Sequence, residues 1–282
     1  MVEDRPFLNL LAHIVLICGV LIVAFPVYLA FIASTHSANA FGSGTIPLLP
    51  GSEMANNYRV MLGVGLSASG APPLGGMLFN SLVMALIIAF GKIAISITSA
   101  FAIVYFRFPF RNLAFWAIFV TLMLAVEVRI VPTFKVVADL GLLNSYAGLS
   151  IPLIASATAT FLFRQVFLTI PDEMMEAARI DGAGPMKFFR DILIPLSRTN
   201  IAALFVILFI YGWNQYLWPL LITTDAKFYT VVAGIKRMAD AADALPQWNY
   251  VMAAVVLAML PPVLVVIFMQ RLFVKGLTET EK

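Results

Sequence analysis

Six apolar runs, separated by polar connections, divide the chain at about 10–33, 77–105, 113–131, 147–167, 200–222 and 250–273. About 20 residues rising 1.5 Å each cross the roughly 30 Å hydrocarbon layer of a bilayer. Each run is close to that length or longer. Within lipid the backbone finds no water, so each run predicts a helix whose hydrogen bonds close on themselves. The expected fold is therefore all-α: a polytopic membrane protein with six transmembrane helices in a single domain over 1–282.

One polar interruption differs from the rest. Between the fourth and fifth runs, residues 169–195 form an amphipathic segment that gains nothing from the bilayer and so predicts contact with something in water. Thr169-Ile-Pro171-Asp172-Glu173 reads as a helix start, with Thr169 as cap, Pro171 in the first turn and acids at the positive end of the dipole. Gly182 suits the left-handed position that ends a helix. Gly184-Pro185 then punctuates the chain. A second short helix is expected to run to Ile194, since Pro195 cannot continue it with a normal hydrogen bond. The pattern is helix, sharp turn, helix. Ala177 and Ala178 are small enough for another backbone to approach. An ordinary surface helix between spans is the alternative.

Composition agrees with the pattern. Of 282 residues, 61% are hydrophobic and 12% charged, against about 45–50% and about 25% in soluble domains. The net charge of +3 calls for no nucleic acid. Arg5, Arg107, Arg111, Arg164, Arg179, Lys187, Arg190, Arg198, Arg271, Lys275 and Lys282 fall on one side of six alternating helices. By the positive-inside rule that side is cytoplasmic, with both termini and the 169–195 segment. The first run has a candidate cleavage site at Ala38-Asn39-Ala40, but it exceeds the 7–15 apolar residues of a signal peptide, so a retained helix is expected. Cys18 is a packing residue by its apolar setting, and no Cys/His cluster suggests a metal. His13 and His36 read as incidental. The external connections Ser34–Gly76 and Thr223–Asn249 are long enough either to meet a soluble partner or to be plain loops.

Ionisable residues at membrane depth are costly and are functional candidates for that reason. Lys92 lies in the second run, and Glu127 and Arg129 towards the outer end of the third. The fifth carries an aromatic and polar cluster from Tyr211 through Trp213, Asn214 and Gln215 to Pro219. Arg129 and Asn214 sit roughly 24 Å and 21 Å from the inner boundary at 1.5 Å per residue, so both could line one outer cavity. The bland readings are mutual neutralisation of Glu127 and Arg129, snorkelling, and interfacial anchoring of Trp and Tyr. Ser156, Thr158 and Thr160 lie nearer mid-membrane and can serve packing. Pro26, Pro132, Pro152, Pro219 and Pro261-Pro262 are expected to kink the spans.

The segment Glu176-Ala-Ala-Arg-Ile-Asp-Gly182-Ala, with an aromatic at Phe188 or Phe189, Ile192 and Pro195, resembles the EAA signature of permease subunits of bacterial ABC importers. Trp213-Asn-Gln-Tyr-Leu-Trp-Pro219 looks like the W-N-x-[FY]-L-W-P motif of the maltose-permease-like subset. Glu3-Asp-Arg-Pro6, Ala102-Ile-Val-Tyr-Phe-Arg107-Phe-Pro, Val126-Glu-Val-Arg129-Ile and Ser156-Ala-Thr-Ala-Thr-Phe-Leu-Phe-Arg164-Gln look like its sn-glycerol 3-phosphate branch. One departure is Ala125, where that branch is expected to carry proline.

The resemblance implies a coupling helix in which Glu176, Ala177, Ala178, Asp181, Gly182 and Ala183 meet an ATPase subunit. It also implies a related partner permease, an ATPase dimer, a periplasmic binding protein, and alternating access in a bacterial inner membrane. Arg129, Glu127, Asn214, Gln215, Trp213 and Lys92 are the pathway candidates. The chain has no G-x-x-x-x-G-K-[ST] loop, since Gly91-Lys92 is followed by Ile93, so ATP and magnesium would belong to the partner ATPase and no cofactor to this chain. The cargo would be sn-glycerol 3-phosphate, with glycerophosphodiesters as further candidates. The rivals are a permease for another sugar or polyol, an ion-coupled secondary transporter, and a membrane scaffold or sensor. An enzyme is the least supported.

Overall fold

The computed structural model describes residues 6–41, 47–66, 70–121, 126–241 and 247–279, without the side chains of Pro6, Leu8, Val126, Glu127 and 271–279. In chain order the helices are α1 (Pro6–Ser34), α2 (Met54–Gly63), α3 (Leu74–Tyr105), α4 (Arg111–Val120), α5 (Val126–Asp139), α6 (Tyr146–Ser150), α7 (Ala157–Leu168), α8 (Asp172–Ile180), α9 (Pro185–Phe188), α10 (Ile194–Leu196), α11 (Arg198–Trp213), α12 (Leu217–Ile222), α13 (Val231–Ala239) and α14 (Trp248–Glu279). Among the described residues the only extended pairing is an isolated bridge between Leu66 and Ala71.

Three helices are long and apolar enough to cross a membrane alone, over Asn9–Ser34, Leu74–Tyr105 and Trp248–Gln270. Two bent pairs reach that length together: Tyr146–Leu153 with Ala157–Leu168, bent by 50°, and Pro185–Leu196 with Arg198–Trp213, bent by 72°. α4 is a shorter apolar helix. The expected run 113–131 begins in α4 and ends in α5, and its middle, with Ala125, lies outside the described residues. Pro26, Pro132 and Pro261-Pro262 all lie inside continuing helices.

Two expected straight helices are broken instead, each beside a proline. A proline has no N–H for the carbonyl four residues back, and its ring crowds that carbonyl. For Pro152 that carbonyl is Gly148, and the chain turns through a 3₁₀ segment, Ile151–Leu153, before Ser156 caps α7 by accepting from the Ala159 N–H at 3.3 Å. The freed Gly148 carbonyl accepts the Trp218 indole N–H at 3.1 Å. For Pro219 the carbonyl is Gln215. The fifth run breaks after Trp213, so that Pro219 falls in the first turn of α12, where no intrahelical N–H is needed.

The chain forms two compact units. In the first, Met1–Gly76 with Gly234–Leu260, the hub is Asn57, which is 1% exposed. Its Nδ2 donates to the carbonyls of Ser34 and His36, each at 2.8 Å, and its Oδ1 accepts from Asn249 Nδ2 at 3.0 Å. One amide thus ties the end of α1, α2 and the start of α14. The connection after α1 is therefore held in place at its beginning.

The second unit, Met77–Ala233 with Pro261–Lys282, is built on α3. Met84, Ile88, Val137, Leu149, Trp218 and Ile222 form a buried cluster. Gly212 lets α11 cross α3 closely, since a Cβ there would lie 2.9 Å from the Ala85 Cα. At the end of α3 where it begins, Asn80 Nδ2 donates to the carbonyls of Lys227 and Tyr229 at 2.8 and 2.9 Å, while its Oδ1 accepts from Tyr146 Oη at 2.7 Å. Ser81 Oγ accepts from the Val231 N–H at 2.8 Å. The connection after α12 is strapped down by these bonds.

Candidate functional site

The coupling segment starts from α8. Asp172 and Glu173 occupy its first turn and Arg179 its last, matching the helix dipole at both ends. Thr169 is not its cap. Its hydroxyl donates back to the Val166 carbonyl at 2.7 Å and closes α7, leaving the extended Pro171 as a capless start. Gly182, at φ +74°, ends α8 in a Schellman turn. The Ala183 N–H reaches the Ala178 carbonyl at 2.9 Å and the Gly182 N–H the Arg179 carbonyl at 3.0 Å.

The two alanines divide in function. Ala178 is buried, while Ala177 is exposed beside Glu176, with Asp181 and Gly182 also exposed and Ala183 half-buried. Ile180, absent from the sequence candidates, is 87% exposed on the last turn. Met186, just past the turn, is 70% exposed. The outward side is thus a small-residue patch framed by an acid and by uncovered apolar side chains.

The inward side is aromatic. The Phe189 ring lies 4.7 Å from Phe101 and the Phe188 ring 5.3 Å from Tyr105. Tyr105 Oη donates to the Phe167 carbonyl at 3.3 Å. The segment is therefore gripped by the ends of α3 and α7. A cleft of about 1060 Å³ opens beside this cluster, with Arg107, Arg111, Asp172 and Arg179 on its walls. Past α9 the chain continues as a π turn, Phe189–Leu193, and then α10, so the helix runs on through Pro195 to Leu196 instead of stopping at Ile194. The π turn resets the bonding frame: the Ile194 N–H reaches the Phe189 carbonyl, five residues back. In this connecting segment, Arg190 Nε donates to Asp191 Oδ1 at 2.7 Å and holds that carboxyl below its ordinary range. Exposed pairs of this kind add little stability.

The span candidates separate. Lys92, near the middle of α3, is 7% exposed, and its Nζ lies 3.7 Å from the centre of the Tyr211 ring. Arg129, exposed on α5, is close enough for its charge to act on Lys92. Gln215 Nε2 donates to the Tyr211 carbonyl at 3.2 Å. Lys92, Arg129, Tyr211 and Gln215 thus fall in one neighbourhood. Trp213 does not join it: at 2% exposure it stacks on Phe209 at 5.9 Å, as packing. Asn214 is exposed at the end of α11, and no described bond links it to Arg129. The Glu127 side chain lies outside the described residues. A lysine at the centre of a span costs about 2.5–3.5 kcal/mol on insertion scales. A cation–π contact returns about 0.5–2 kcal/mol. The ring alone leaves Lys92 under-compensated.

The model of the binding-protein-dependent transport system inner membrane component family matches residues 7–279. The chain belongs to that family. The permease is 61% identical over 282 residues, the whole of both chains, to the sn-glycerol-3-phosphate transport system permease protein UgpE of Agrobacterium fabrum. It is 60% identical, again over both full lengths, to the protein of that name in Brucella melitensis, and 58% to that of Pectobacterium atrosepticum. A solved bacterial ABC transporter involved in the import of the acidic polysaccharide alginate has the same fold. Its TM-score is 0.81 at 20% identity, covering 96% of this permease and 98% of that chain. The chain is an all-α permease subunit of an ABC transport system and an integral inner-membrane protein.

Proposed function

We propose that this permease, paired with a related subunit, forms the membrane pathway of an ATP-driven importer for sn-glycerol 3-phosphate delivered by a periplasmic binding protein. The observation that carries the cargo is full-length identity of 57–61% to permeases named for sn-glycerol-3-phosphate transport. The EAA segment supports the coupling role. Glu176, Ala177, Asp181 and Gly182 meet the ATPase, and Ile180 enters its cleft as an apolar knob. Ala178 and Ala183 hold the turn from within. ATP and magnesium are bound by the ATPase, and both termini face the cytoplasm with the coupling segment.

Nucleotide-driven closure of the ATPase pair displaces α8. The aromatic grip of Phe188 and Phe189 on α3 passes that displacement to the spans, switching access between the two sides. Purification of the chain with co-expressed partners, followed by ATPase assays with a panel of loaded binding proteins, tests this reading. Stimulation by the sn-glycerol 3-phosphate-loaded protein is expected. Stimulation only by a sugar- or polyol-loaded protein would overturn the cargo. Uptake that survives ATP depletion while an ion gradient is kept would overturn the coupling.

A further inference from the structure

Lys92 is the only charged side chain buried among the described residues. No described carboxylate pairs with it; the ion pairs described join Arg190 to Asp191 and Lys236 to Asp240. Its Nζ is held 3.7 Å over the Tyr211 ring, and the nearby charge acting on it is the like charge of Arg129. Two converging cations repel, and burial removes the water that would screen them. Such a pair is stable only when something negative completes it.

We propose that Lys92 and Arg129 form an oxyanion site for the phosphate of the cargo, with the Tyr211 ring as its wall. The division of labour suits a phosphate. The guanidinium gives a flat two-pronged donor, and the ammonium a compact charge with three donors. Arg129 lies on the exposed face of α5, so the anion has a way in, while Lys92 sits beneath it in the interior. Gln215, one turn beyond Tyr211 and bonded to its carbonyl, stands next to this wall. A neutral sugar would leave both cations unanswered, so the site discriminates for anionic cargo.

This inference rests on the reading of the chain as a permease for sn-glycerol 3-phosphate. The test is uptake of labelled sn-glycerol 3-phosphate by proteoliposomes holding the full complex, its binding protein and internal ATP. Loss of one charge-assisted contact should lower uptake in Lys92→Met about tenfold to a hundredfold. Arg129→Gln should also fall, and Lys92→Arg should recover most of the wild-type rate. The second readout is assembly and thermal unfolding of the purified complex. Methionine removes a buried charge, so Lys92→Met should assemble normally and unfold at the wild-type temperature or above. Wild-type uptake by Lys92→Met would overturn the site. Loss of assembly in that variant would also overturn it, marking the lysine as a structural support. If the wild-type complex itself carries only uncharged cargo, the functional reading fails before the site is put to trial.

Discussion

At the scale of single residues, three positions carry consequences larger than their size. Gly148 has no room for a side chain, since a Cβ would lie 2.1 Å from the Leu142 carbonyl oxygen. Its own carbonyl holds Trp218. Gly148→Ala should therefore force backbone movement and destabilise by about 1–3 kcal/mol, read as a lower unfolding temperature in detergent. Ser197 is the opposite case. It is fully buried at the bend before α11, and its hydroxyl has no partner. Ser197→Ala should leave stability unchanged or raise it by about 1 kcal/mol, whereas a clear loss would reveal a bond that the hydroxyl makes. The third is Asn80, whose amide bonds two carbonyls of the 223–231 connection. Asn80→Leu should strand both and cost about 1–3 kcal/mol, measurable by the same unfolding assay.

At the scale of elements, the coupling segment is a short helix, a left-handed glycine turn and a second helix with a π turn in it. Gly182→Pro lacks the N–H that reaches Arg179 and cannot adopt φ +74°. Glu176→Lys reverses the charge on the outward patch. Both should abolish ATP-driven uptake while membrane insertion persists, and uptake at the wild-type rate in both would sink the coupling role. Phe188→Ala attacks the inward side instead. Removing a buried ring costs about 3–5 kcal/mol in a core. Here it should loosen the segment from Tyr105, so that ATP hydrolysis continues with less transport per ATP. Gly182 was legible in the sequence because left-handed backbone at a helix end nearly requires glycine. The mis-assigned cap at Thr169 was not, because a threonine hydroxyl serves equally well by bonding backwards to a finished helix. Nor was the extra turn through Pro195, since a π turn leaves no mark in the residue pattern.

At the scale of the whole molecule, the all-α membrane architecture was legible from apolar run length, and the polar 169–195 segment from its contrast with its surroundings. Straightness was not legible. The expected fourth and fifth spans are broken at Pro152 and Pro219, because a proline reports which bond is missing and not which group takes the orphaned carbonyl. The pathway candidates sorted by a similar logic. Depth along a span grouped Arg129 with Asn214, whereas side-chain direction groups Arg129 with Lys92. Orientation is open to a direct check. In a Cys18→Ser background, Ile180→Cys should react with a membrane-impermeant thiol reagent in inverted vesicles and stay unlabelled in intact cells; labelling of intact cells would reverse the topology. The 72° bend between Pro185–Leu196 and Arg198–Trp213 has a mechanical meaning. Most of a push along the first arm arrives across the second, so the elbow at Ser197 works as a bell crank, turning a stroke in the water into a swing in the lipid.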